Sequence, residues 1–100
     1  MSGYDRQRLV EAIETGQPVE GEDLRGLDLS GLDLGGANLR GSDLRNANLS
    51  ETNLEESHLE RVNLEGAVLH KTNFTGAHLS GITLKDVDLS SCIMTRVTAL

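Results

Sequence analysis

His58 and His78 stand twenty residues apart, each directly before a leucine, in a chain of 100 residues. Two imidazoles on one face could share a metal ion, with Glu60 close enough in sequence to join them. A stable site needs three or four ligands, however, and the third histidine, His70, falls on a different phase of the sequence. A solvated pair of stacked rings accounts for His58 and His78 more simply, and no metal or other cofactor is expected. Cys92 is the single cysteine. A thiol nucleophile needs an activating base or cation beside it, and no histidine is arranged for that. Cys92 therefore reads as a compact apolar side chain. Asp23, Asp28, Asp33, Asn38, Asp43, Asn48, Asn53, Asn63, Asn73 and Asp88 each precede a large apolar residue. Paired carboxylates could do acid–base chemistry. Half of this series are amides, though, and its spacing is regular, so these residues read as hydrogen-bonding groups near corners. The glycines make no phosphate loop, because no Lys-Ser/Thr follows them and no strand-to-helix turn surrounds them. No enzyme is expected.

The elements that would position these residues follow from a five-residue period. Large apolar residues recur without a break from Leu24 to Met94, all leucine except Phe74 and Met94. Neither a helix, with apolar residues three and four apart, nor a half-buried strand, with alternation, explains this spacing. Two residues before the centre the side chain is usually small or β-branched, as at Ala37, Ser42, Ala47, Thr52 and Ser57. Centre and small residue share side-chain parity on an extended backbone, so both point inward, while the Asp or Asn between them points out. Glycine two after the centre, as at Gly26, Gly31, Gly36 and Gly41, suits a turn with positive φ. Each unit is then a short extended side ended by a corner, and the fixed period marks a solenoid. Closure alone leaves three or four sides open.

Ahead of the repeat, "SGYDRQRLVEAIETGQP" reads as one short helix, with Ser2 as N-cap, Asp5 as an early acid, and Gly16 and Pro18 as its stop. So short a helix needs a docking surface. The division expected is a capping helix and linker over 1–20 and a solenoid over 21–100.

The formal charge is −7, which disfavours direct nucleic-acid binding. No apolar run approaches the length of a membrane span and no basic-then-apolar leader is present, so a cytoplasmic protein without membrane association is expected. Tyr4 and Phe74, the two aromatics, leave little for base stacking or a bulky pocket.

The run "ANLRGSDLRNANLSETNLEES" resembles the pentapeptide-repeat family, whose consensus is small–Asp/Asn–Leu–x–x, and the match extends from about Asp23 to Arg96. The resemblance implies an all-β fold: a right-handed quadrilateral parallel β-helix of about four coils with an N-terminal capping α-helix. With four sides, residues twenty apart stack. Leu24/Leu44/Leu64/Leu84, Leu29/Leu49/Leu69/Leu89, Leu34/Leu54/Phe74/Met94 and Leu39/Leu59/Leu79 then form inward ladders. Larger residues at the small position mark the ends, Leu27 and Leu32 at one and Ile82, Val87 and Val97 at the other. The helix stripe Leu9, Val10, Ile13 is expected to cover Leu27 and Leu32. At the other end Cys92, Ile93, Met94, Val97 and Leu100 make an apolar terminus with unpaired edges, which proteins normally cover. It would dock on a second copy or on further repeats, and the resemblance favours a homodimer through this coil. The side bearing Arg40, His58, Glu60, Arg61 and His78 is the one with net positive charge, and the expected partner-facing surface.

The function expected is a non-enzymatic protein-interaction scaffold with a protein partner. The resemblance adds an alternative, a DNA-mimicking protector of a type II topoisomerase. Against it, Arg25, Arg40, Arg45 and Arg61 interrupt the acids, so no side is a continuous acidic stripe. A metal-binding or enzymatic use of His58 and His78 is the third alternative.

Overall fold

The computed structural model describes residues 3–99. Its one helix, α1, spans Arg6–Glu14. Asp5 is the N-cap itself: its carboxylate accepts from the Arg8 amide at 2.8 Å, satisfying one of the first-turn donors. Ser2, the expected cap, lies outside the described residues. Thr15 and the left-handed Gly16 (φ 74°) end the helix. Leu9 and Ala12 are buried and Ile13 packs against the core beside them. Val10 does not join that cluster, which corrects the expected stripe. Positions 9, 12 and 13 share one helical face, and position 10 falls on its flank. Leu27 and Leu32 are half-buried against the same cluster.

The rest of the chain is a parallel β-helix with four sides and twenty residues per turn. The amides of the period-five leucines from Leu24 to Leu64, and those of Phe74 and Leu79, donate to a carbonyl nineteen residues ahead, as from Leu24 to Asp43 and from Leu44 to Asn63, both at 2.8 Å. From the second coil on, the residue before the inward leucine donates back, as from Asp43 to Glu22 at 2.9 Å, with Asp88 the exception. The resulting bridges join residues twenty apart, from Asp23 with Asp43 to His78 with Thr98. Val19 belongs to this pattern too: its amide bonds the Asn38 carbonyl at 2.8 Å and Gly21 bonds Arg40 at 2.9 Å. The signal was present in the sequence, since Val19 and Gly21 lie five residues before Leu24 and Gly26.

Corners account for the remaining positions. Glycines such as Gly31 (φ 71°) take the left-handed conformation that they enter without steric cost. Asn46, Glu51, Glu56, Arg61, Lys71, Asp86 and Arg96 adopt it as well, with φ from 57° to 61°. Between corners, all ten Asp and Asn residues of the outward series accept from the amide two residues on, as Asp33 does from Gly35 at 3.0 Å. This side-chain turn is the reason the series exists.

Inside, the period-five leucines from Leu24 to Leu69, with Phe74 and Leu79, are at most 4 % exposed. Burying each contributes about 1.5–3 kcal/mol. At the crowded inner corners Thr52 and Thr72 satisfy their hydroxyls by donating to the carbonyls of Leu29 and Leu49 at 2.8 and 2.7 Å. Cys92 continues the column, its thiol donating to Leu69 O at 3.1 Å.

Candidate interaction surfaces

On the side expected to face a partner, parallel pairing through Asn38, His58, His78 and Thr98 brings the two imidazoles together. Their rings stack with centroids 4.6 Å apart and planes 6° from parallel. Arg40 reaches His58 Nδ1 at 3.0 Å and Glu60 at 3.3 Å, and approaches Glu20 at 4.0 Å. Glu20 in turn accepts from Asn38 at 2.6 Å. Glu60 Oε1 is shielded from solvent with no hydrogen-bond partner, 3.6 Å from His58 Nδ1. Burial works to raise the Glu60 pKa, but its own backbone amide and the Arg40 and His58 charges outweigh burial and leave it lowered. Arg61 is not part of this network. It occupies a left-handed corner (φ 60°) and is exposed, with its stem lying over Gly81. So Arg40, His58, Glu60 and His78 are brought together, Arg61 is not, and Glu20 is an addition that sequence periodicity missed because it precedes the first leucine. Among the described residues, no group of three or more His, Cys, Asp or Glu side chains is placed to hold a metal ion.

The C-terminal coil is the second surface. Ile82, Leu84, Val87, Leu89, Cys92, Met94 and Val97 are all half-buried, unlike their counterparts one coil earlier, and Ile93 is 49 % exposed on the outside. Leu100 lies outside the described residues. Burial pushes the Cys92 thiol pKa up, against a smaller lowering by the Thr72 backbone, so the thiol is not activated. The coil is also less regular on one side, where no bridge joins Val68 to Asp88. Val68 stands where Asp or Asn is usual, half-exposed, and cannot make the side-chain turn. The corner after Asp88, at Ser91, is not left-handed, and the Ser91 hydroxyl takes the place of a carbonyl by accepting from Lys71 N at 2.9 Å. A recess of about 340 Å3 opens there between Val68, His70, Asp86 and Asp88.

Elsewhere several outward arginines pair with neighbouring acids. Arg25 pairs with Asp23 at 2.9 Å, Arg45 with Asp43 at 2.7 Å, and Arg96 with Glu56 at 3.8 Å. The Arg25 hydrogen bonds hold the Asp23 carboxyl down to about 2. No described helix is long and apolar enough to cross a membrane.

Comparison with known proteins places these features. A pentapeptide-repeat sequence model, in eight copies, matches residues 23–61, 47–86 and 57–96. The crystal structure of a pentapeptide repeat protein from Nostoc PCC 7120 superposes with a TM-score of 0.84 at 20 % identity, covering 96 % of each chain. One from the cyanobacterium Cyanothece 51142 is 31 % identical with a TM-score of 0.61, over 81 % of this chain and 58 % of that one. A third, from the Arabidopsis thaliana thylakoid lumen, is 24 % identical with a TM-score of 0.54, over 82 % of this chain and 61 % of the other. No curated protein sequence matches the chain. The repeat period, the four-sided pairing and these matches agree, and the chain belongs to the pentapeptide-repeat family, with its right-handed quadrilateral β-helix.

Proposed function

We propose that this protein is a non-enzymatic interaction scaffold of about four coils that pairs with a second copy through its C-terminal coil. The observation that carries the reading is the contrast between the ends. At the N-terminal end Leu9 and Ala12 are buried against the coil, while at the other end Leu84, Leu89 and Met94 are half-buried and in register. An apolar coil with free edges is a surface that proteins cover. The two shorter extents of the molecule are 24 and 23 Å. An end-to-end pair of that cross-section would bury on the order of 1,000 Å2, near the lower bound for a specific interface. A two-fold pair also closes on itself, as most homo-oligomers do.

Pairing leaves the sides free, and the His58/His78 side is the proposed contact for a cytoplasmic protein partner, with no cofactor and no nucleic acid. Light scattering coupled to size exclusion tests the pairing. The unmodified protein should run as a dimer, and Ile93→Glu or Val97→Glu as a monomer that keeps its circular dichroism. A monomeric unmodified protein removes the proposal.

A further inference from the structure

The first coil presents free carbonyls at its N-terminal rim, because no earlier coil donates to them. On one side the Asn38 and Arg40 carbonyls are met by the Val19 and Gly21 amides. On another, no backbone arrives, and the Arg6 guanidinium takes over: one nitrogen, Nη1, donates to both Asp28 O and Ser30 O at 3.0 Å, with the Asp28 carboxylate 3.9 Å away. The register-equivalent pair on the side between them is Asp33 O and Gly35 O, five residues on from Asp28 and Ser30. Neither accepts a hydrogen bond from the described residues.

Gly35 of this second pair lines a recess of about 310 Å3 between cap and coil, together with Ile13, Gln17, Pro18, Gly36 and Ala37. Glycine at 35 and 36 leaves its coil wall without side chains. Ile13 and Pro18 offer apolar surface for an alkyl stem, and Asp33 stands beside Gly35 as Asp28 stands beside Ser30. Its Oδ1 accepts from Gly35 N and Asn53 Nδ2, each at 3.0 Å, leaving Oδ2 without a donor among the described residues. The surroundings favour a cation: the first 22 residues hold five acids against two bases, and Asp33, Glu55 and Glu56 face one base, Arg96, on this side.

The geometry points to a docking site for an arginine side chain of a partner protein, its guanidinium donating to Asp33 O and Gly35 O as Arg6 does to Asp28 O and Ser30 O. A planar guanidinium offers several donors in a fixed fork, which a pair of adjacent carbonyls matches better than an ammonium point charge does. The site lies at the opposite end from the coil proposed for pairing, so either can fail without the other.

Titration of the 15N-labelled protein with N-acetyl-arginine amide tests it, with the uncharged citrulline counterpart as control. Saturable shifts of the Gly35, Gly36 and Gln17 amides are expected at concentrations on the order of millimolar, about tenfold weaker with citrulline. In Arg6→Ala the same ligand should add a second saturable response at Ser30 and Gly31. If that variant does not fold, the unmodified protein decides alone. Shifts that grow linearly and scatter over exposed acids, an equal response to citrulline, or a response at Ser30 in Arg6→Ala with Gly35 silent would each overturn the proposal.

Discussion

Glu51 and Gly31 occupy the same corner one coil apart, with φ of 57° and 71°, so exchanging their residue types isolates the energy of the left-handed turn. A non-glycine residue there costs roughly 1–2 kcal/mol of steric strain. Glycine avoids that strain but loses about 0.5–1 kcal/mol more chain entropy on folding. The balance makes Glu51→Gly stabilising by about 0.5–1 kcal/mol and Gly31→Ala destabilising by about the same amount. Few other effects intrude. Glu51 is exposed, its amide keeps its 2.8 Å bond to His70 O, and a methyl at Gly31 meets nothing within 4 Å. For a domain of this size the expected displacement is about 2–8 °C in Tm, upward for Glu51→Gly and downward for Gly31→Ala. Thermal melts followed by circular dichroism read it directly. If Glu51→Gly lowers Tm by several degrees, backbone strain does not govern the corners.

Leu49→Ala, which empties a fully buried ladder step, should cost about 3–5 kcal/mol by urea denaturation. Thr72→Val leaves the Leu49 carbonyl without its hydroxyl donor and should cost about 1–2 kcal/mol, measured the same way. Asp23 has a folded pKa of about 2 against an ordinary 3.8, so its contribution to stability is present above the ordinary value and is lost as pH falls through the folded one. Asp23→Asn, which keeps a side-chain acceptor for the Arg25 amide, should therefore flatten the fall in Tm between about pH 4 and pH 2.

The period alone marks a solenoid, because one large apolar residue in five has few backbone solutions, and the family resemblance supplies the four sides. The stacked rings of His58 and His78 followed from a separation of twenty once four sides were granted. What escaped sequence reading lies where the period is weakest. A nine-residue helix gives too few turns to tell face from flank, so the sequence alone places Val10 in the docking stripe. Val19 escaped because it is a valine ahead of a run of leucines. Glu20 and Arg6 act across 18 and 22 residues, through guanidinium or carboxylate reach that no local pattern announces. The broken ladder at Val68 was visible as a wrong residue type at an outward position, but its outcome depended on how Ser91 resolved the next corner.

A pairing offset of twenty built from units of five also governs how such a chain can be edited. Five added residues between Arg61 and Leu64 would keep every later corner and every inward leucine in phase. They would nonetheless turn all that follows by a quarter circle, carrying His78 away from His58 and setting another unit's outward residue on the histidine. Twenty added residues would restore the alignment and lengthen the molecule by roughly 4.8 Å. The core therefore counts in fives while the surface counts in twenties. An insertion can spare the fold and still rewrite what each side displays.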